Sequence, residues 1–358
     1  MIRPVAHVSA MSPYALAQLN VPDGKRLVSL SQNESLRPPS PRAISAAAEA
    51  LGAGHLYPDP DWRALRQALS DHHGIPMPGI LCANGSMELI LALTLAFANP
   101  QNAVLAPAHA YPFFRTAAQV AQARFDTAAE RDCCVSVDAL LERVQPDTRL
   151  VFVANPGNPT GSRIPRAELL RLRNGLRGDI LLVVDEAYGE FADHLEEPMF
   201  DLVARGDTAV LRTFSKAYGL AGMRVGWGLF PPEVAEALRK VMTPNNVSVA
   251  GQAAACGALS DQAYMRETCA LVAAQRAAFT HRLRSAGFQI AESFTNFVMI
   301  HLANEQEAQS AAEALRAEGV FLRQQAGVGL GHCLRATIGG QADMAFAADI
   351  LEHWKKKQ

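Results

Sequence analysis

Arg212-Thr-Phe-Ser-Lys-Ala-Tyr-Gly-Leu-Ala-Gly-Met-Arg-Val-Gly-Trp227 is the stretch on which the reading of this chain turns. The apolar run Ala209–Thr213 predicts a buried strand, and the chain then turns at Phe214-Ser-Lys. A lysine just past the end of a buried strand, with hydroxyls at Thr213 and Ser215, suits covalent chemistry. An amine held in a pocket and kept partly uncharged forms a Schiff base with a carbonyl. The two hydroxyls and Arg224 suit a phosphate beside it. Taken alone, such a stretch more commonly carries a solvated turn lysine and a surface arginine. Residues elsewhere in the chain reverse that preference.

Outward from this stretch, further apolar runs alternate with helical patterns. Ile180–Val184 runs straight into Asp185-Glu-Ala-Tyr188, and Leu150–Ala154 ends in Asn155-Pro-Gly-Asn-Pro-Thr-Gly161. Ala103–Ala106 and Val225–Leu229 read as further strands, and Pro165–Arg177 as an amphipathic helix stopped by Gly178. Uninterrupted apolar strands alternating with helices predict an α/β fold, a mostly parallel sheet covered on both faces. Sites in such sheets lie outside the carboxyl ends of the strands. Asn158, Asp185, Tyr188 and Lys216 all follow strand ends, and that convergence outweighs any one of them.

The flanks differ in character. Residues 1–45 are proline-rich and predict an arm or small-domain segment with no helix before Pro41. Asp61 is the expected cap of a helix carrying Trp62, Leu65 and Leu69. Ser86 is the expected N-cap of the helix that follows Gly85, with Glu88 in its first turn. Past Pro231-Pro232 come a helix at 233–242, a helical region at about 262–286, a strand Phe297–Leu302, a capping box at Asn304 and Glu307, and a strand Cys333–Ile338. The expected division is an arm over 1–45, a large domain over 46–244 and a smaller α+β domain over 245–358.

Composition narrows the function. The 358 residues are 49% hydrophobic and 19% charged, with a net charge of −2, which is ordinary for a globular enzyme. The pI of about 6.6 and the absence of a basic run before Lys355-Lys-Lys357 argue against nucleic acid or an anionic membrane as partner. The N-terminus has no continuous apolar core of a signal peptide, and Leu89–Ala98 is too short to span a bilayer, so a cytoplasmic location is expected. The six cysteines show no metal-type or redox spacing and read as buried or idle thiols, with no metal expected.

If Lys216 carries pyridoxal 5′-phosphate, other demands follow. The pyridine nitrogen needs a buried carboxylate to stay protonated, and Asp185, directly after Leu-Leu-Val-Val, is the candidate. Asn158 and Tyr188 suit the ring 3′-oxygen, although Asn158 also fits a plain turn. Gly85-Ser86-Met87 offers amides at a helix start for the phosphate, joined by Thr213, Ser215 and Arg224; most Gly-Ser pairs before helices are simple caps. Tyr111 suits a stacking lid or, equally, a core position. Arg335, an odd charge in Cys-Leu-Arg-Ala-Thr-Ile-Gly, suits a substrate carboxylate, or is an edge-strand arginine reaching water.

At this point the motifs Asn155–Gly161, Val183–Tyr188, Arg212–Gly226 and Leu334–Gly339 resemble those of fold-type I pyridoxal-phosphate aminotransferases of class I and II, most of all the histidinol-phosphate aminotransferase group. The likeness runs nearly the whole length, through Leu30–Ser35, Leu56–Pro60, Asn84–Leu89, Pro244–Ser248 and Gly319–Gln324. It implies a large domain with a mostly parallel sheet plus a smaller α+β domain. It implies that Lys216 bonds the cofactor, with Asp185 on the ring nitrogen and Asn158 and Tyr188 on the 3′-oxygen. Tyr111 then stacks on the ring, Ser86, Met87, Thr213, Ser215 and Arg224 bind the phosphate, and Tyr57 reaches it from the partner of a homodimer. Arg335 takes the substrate carboxylate or, for histidinol phosphate, faces its phosphate, while Tyr14, Asn33 and Arg323 lie where the side chain is read, with Arg323 a candidate for the substrate phosphate. The implied reaction joins histidinol phosphate and 2-oxoglutarate, with histidine biosynthesis as the implied setting. Lys216 would move the α-proton as base and then acid. The rivals are an aromatic amino-acid aminotransferase of the same class and a phosphoamino-acid decarboxylase, a lyase sharing Lys216, Asp185 and both arginines. Three departures bear on substrate: Met87 in place of a common acid, Phe114 in place of a frequent tyrosine, and Arg37, an extra cation expected near the substrate entrance.

Overall fold

The computed structural model describes residues 2–13 and 19–358. Seven strands form the central sheet: β1 (Ile80–Ala83), β2 (Ala103–Pro107), β3 (Arg124–Ala128), β4 (Thr148–Ala154), β5 (Leu181–Asp185), β6 (Thr208–Thr213) and β7 (Gly226–Leu229). Their order is β1-β7-β6-β5-β4-β2-β3. Only β7 is reversed; it pairs antiparallel with β6 on one side and β1 on the other. Every residue of β1, β2, β5, β6 and β7 is buried. That is why these strands read as continuous apolar runs: helices cover both faces and leave no wet side to alternate with. Phe114, from the helix Pro112–Val120, stacks on Phe152 of β4 with ring centroids 4.6 Å apart.

A second sheet holds β8 (Gln289–Ile290), β9 (Phe297–His301), β10 (Arg323–Gln325) and β11 (Leu330–Thr337), in the order β10-β11-β9-β8. Val298, Ile300, Leu334 and Ala336 belong to a separate core with residues of the helices Gln262–Ser285, Glu305–Ala317 and Gln341–Lys355. Val28–Ser29 pairs in parallel with Val320–Phe321, and Val28 and Leu30 join that second core. The fold is therefore a mostly parallel large sheet sandwiched by helices beside a smaller α+β unit, as the sequence predicts. Among the described residues, no helix is long and apolar enough to cross a membrane.

Several local expectations need correction. The region before Pro41 contains a one-turn helix, Ala6–Ser9, besides the short strand at Val28. The helix Arg63–His73 is capped by Asp59, whose Oδ2 accepts from the Arg63 amide at 3.0 Å. Asp61 instead pairs with Arg66 and Arg239, each at 2.6 Å. The N-cap of Ser86–Phe97 is Gly85 rather than Ser86, because the backbone there adopts φ +82°, a left-handed value that glycine adopts freely. Strand β3 was not expected: it is the sheet's edge, and its exposed Arg124 and half-buried Phe125 break the continuous apolar pattern.

Candidate active site

The carboxyl ends of β4, β5 and β6 open into one cavity of about 240 Å³. Lys216, Asp185, Tyr188, Asn158, Tyr111, Gly85, Ser86, Met87, Thr213, Ser215 and Arg224 all line it. Eleven positions scattered over residues 85–224 thus meet because parallel strands deliver their ends to one rim.

Lys216 Nζ donates to the backbone carbonyl of Asn33 at 3.0 Å and stands 5.7 Å from the Tyr188 ring centroid. Burial, together with the guanidiniums of Arg335 and Arg224, pushes its pKa down to about 8, against the pull of Glu34 and Asp185. Asp185, 4% exposed, accepts the Ala187 amide at 3.1 Å, and burial pushes its carboxyl up to about 7. A cationic ring nitrogen against it would supply the charge that favours ionisation.

The other end of the cavity is built for an oxyanion. Thr213 Oγ1 donates to Ser215 Oγ at 3.0 Å, and Arg224 Nη1 reaches Ser215 Oγ at 3.5 Å. Arg224 Nη2 also reaches the Asn84 carbonyl at 3.4 Å. The first amides of the helix Ser86–Phe97 face this corner with the positive end of its dipole. Two glycines make the approach possible. A Cβ at Gly226 would lie 2.4 Å from the Ser86 nitrogen, and one at Gly85 would lie 2.6 Å from Arg224 Nη2.

Arg335 of the small sheet borders the cavity through Asn158 without lining it, and Arg323 does not line it either. Arg335 Nη1 donates to Asn158 Oδ1 at 2.6 Å and Nη2 to the Ser31 carbonyl at 2.9 Å. Arg323 of β10 is the direct cross-strand partner of Arg335 on β11. Cross-strand partners share a face of the sheet, so the two guanidiniums extend from the same side.

Some expected residues lie elsewhere. Asn33 is buried beneath the cavity, with its side-chain amide donating to the Tyr188 hydroxyl at 2.8 Å. Tyr57 does not join the site within this chain; it is 86% exposed. Tyr14 lies outside the described residues. Arg37 does not line the cavity; it pairs with Glu267 at 3.3 Å and stacks on Tyr264. Sequence reasoning passed over Gln32 and Glu34, which line the cavity from the N-terminal segment. It also missed a buried cluster behind the site, where Arg212 (1% exposed) binds Glu186 at 2.8 Å, Asp193 at 2.7 Å and Glu190 at 3.4 Å. Arg212 and Glu186 directly adjoin Thr213 and Asp185, which was the one available signal.

The chain belongs to the aminotransferase class I and II family, whose model matches residues 25–351. The chain is 42% identical to the histidinol-phosphate aminotransferase of Rhodospirillum centenum, over 97% of this chain and 96% of that one. It is 36% identical to the histidinol-phosphate aminotransferase of Granulibacter bethesdensis, over 98% and 95% respectively. The crystal structure of the Sinorhizobium meliloti histidinol-phosphate aminotransferase in complex with pyridoxal 5′-phosphate superposes with a TM-score of 0.94 and 29% identity, covering 100% of this chain and 98% of that one. The residues present here fit that group on three counts: an amine held near neutrality, a buried carboxyl awaiting a cation, and a corner kept clear of Cβ atoms beside Arg224.

Proposed function

We propose that this chain is a pyridoxal 5′-phosphate-dependent transaminase that moves an amino group from histidinol phosphate to 2-oxoglutarate, giving imidazole acetol phosphate and glutamate. The names of its relatives support the substrate, and one observation within the chain carries it. Arg335 reaches Asn158 of the cavity wall, and Arg323 stands opposite it across β10 and β11, a pair of cations suited to a phosphate-bearing or dicarboxylate partner.

When bound, the cofactor supplies an electron sink for the substrate α-carbon. Lys216 would hold it covalently, Asp185 would pair with its ring nitrogen, Asn158 and Tyr188 with its 3′-oxygen, and Tyr111 would cover its face. Gly85, Ser86, Met87, Thr213, Ser215 and Arg224 would take its phosphate. Lys216 Nζ, whose pKa burial lowers to about 8 so that its neutral form is accessible, would accept the α-proton and later return it. Arg335 orients the substrate through its anionic group, and Arg323 binds the phosphate.

Adding histidinol phosphate to the yellow holoenzyme without any keto acid should bleach it stoichiometrically to the aminated form, and 2-oxoglutarate should restore the colour. Bleaching by phenylalanine or tyrosine in its place would identify an aromatic aminotransferase. Release of carbon dioxide from a phosphoamino acid, with the colour retained, would identify a lyase.

The same reading includes a cytoplasmic homodimer whose Tyr57 crosses into the neighbouring site. Its support is the exposure of Ile44, Leu51, Leu56 and Tyr57, all large apolar side chains near one another in sequence. Light scattering should give twice the chain mass for the wild type and a less active monomer for Leu51→Glu/Leu56→Glu. A fully active wild-type monomer would overturn it.

A further inference from the structure

The second sheet carries a group of side chains that the transamination reading leaves unused. His301, at the end of β9, is the cross-strand partner of Cys333 on β11, and His332 precedes it. One ligand atom from each of the three lies within 4.8 Å of the other two. We propose that His301, His332 and Cys333 form a binding site for a zinc-class divalent ion, with water in the fourth position.

The geometry already approaches what such an ion needs. Zinc–nitrogen bonds of about 2.0–2.1 Å and zinc–sulfur bonds of about 2.3 Å put tetrahedral N and S ligands about 3.6 Å apart. Cys333 Sγ and His301 Nδ1 stand 3.4 Å apart. The His301 and His332 rings are 5.9 Å apart, centroid to centroid, and inclined at 51°. Both histidines are only half-buried, so rotation about their side-chain bonds closes the remaining gap. Cys333 is fully buried and fixed on a strand paired at five consecutive positions with β9. Two imidazoles and a thiolate select a borderline-soft ion over magnesium or calcium, which take oxygen.

One of the three, His301, lines a cavity of about 350 Å³ beside Gln289, Leu302 and Glu307. Such an ion takes cysteine as thiolate: the Cys333 S–H bond breaks, the sulfur binds the ion, and one proton leaves to solvent.

The position is not remote from the chemistry. Met299–Arg335 is the neighbouring cross-strand pair on the same face, two residues along each strand and roughly 7 Å away. An ion here would clamp β9 to β11 one pleat from the arginine assigned to the substrate anion. This proposal stands independently of the substrate reading.

The test uses tag-free full-length holoenzyme, stripped with chelator and titrated with cobalt(II). Tetrahedral cobalt bound by sulfur shows d–d bands at longer wavelengths than the cofactor absorbs. The expected result is one such site per chain, displaced by equimolar zinc(II), untouched by excess magnesium, and accompanied by release of one proton. The bands should persist in Cys134→Ser, disappear in Cys333→Ala, and require roughly tenfold or more cobalt in His301→Gln and in His332→Gln. Thermal melts of the variants confirm folding, and half-buried His332 is the mildest of the three changes. An octahedral spectrum only, or tetrahedral bands that survive in Cys333→Ala, would reduce the group to a thiol–imidazole hydrogen bond and overturn the proposal.

Discussion

Asn33 and Lys216, 183 residues apart in sequence, are joined directly: the Asn33 carbonyl receives the lysine ammonium at 3.0 Å. The Asn33 side chain simultaneously holds the Tyr188 hydroxyl at 2.8 Å, and its backbone sits at φ +53°. One residue thus aims two members of the site, in a left-handed conformation that asparagine tolerates better than most side chains. Asn33→Ala should lower the melting temperature and reduce kcat about tenfold, since a small misplacement of a proton-transfer group is costly. Asn33→Gly, which relieves the backbone but not the lost contact, should recover stability without recovering kcat. Recovery of both by glycine would leave the residue a purely conformational role.

Lys216 sets a pH dependence. With its pKa near 8 in the folded chain, the neutral amine becomes the major form above that pH. Capture of pyridoxal phosphate by the apoenzyme should therefore accelerate as pH rises through about 8 and then level off. A midpoint near the ordinary lysine value would contradict the burial argument. Lys216→Arg, permanently charged, should fall in activity by roughly 10²–10⁴ or more, as loss of a positioned acid–base group does.

Asp185 should trade apoenzyme stability for cofactor binding. A carboxyl raised to about 7 when folded binds more protons than in the unfolded chain between about pH 4 and 7, so its contribution to stability falls as pH rises across that window. At pH 8 the cost is fully present, up to roughly 4 kcal/mol. Asp185→Asn keeps an acceptor for the Ala187 amide and removes that cost. The variant apoenzyme should melt above wild type at pH 8 and near it at pH 4, while transamination collapses. An unchanged difference across pH would refute the linkage.

Arg212 and Glu186 offer a different test. Removing one partner of a buried pair leaves the other charge uncompensated, at about 3–5 kcal/mol. Arg212→Met should be strongly destabilising in urea titrations, more so than Asp193→Asn, whose side chain is partly exposed. Glu186→Leu added to Arg212→Met should restore part of the loss. Equal losses in the single and double variants would assign the cost to packing rather than to stranded charge.

The parallel sheet made much of the site legible in advance. Asn158, Asp185, Tyr188 and Lys216 were found because an apolar run ending in a polar residue is a local pattern, and topology carries all such ends to one rim. Gly85 at the helix cap was misread because its backbone angle, not its neighbours' composition, decides the cap. Beyond the adjacency of Arg212 and Glu186 to two site residues, the Arg212 cluster left little trace in the sequence, because its partners lie at 186–193, well apart from it along the chain. Arg323 opposite Arg335, and His301 opposite Cys333, depend on strand register, which linear spacing does not reveal. That is also why six cysteines without metal-type spacing gave no hint of a mixed histidine–cysteine group.

Finally, the short strand at Val28–Ser29 finds its partner at Val320–Phe321. During translation the residues that steer the lysine emerge among the first, yet the surface that anchors them emerges near the end. A ribosome-bound chain halted before that point should fold its central sheet but leave the amine untethered. Competence for transamination is then expected only once Val320 and Phe321 have left the ribosome.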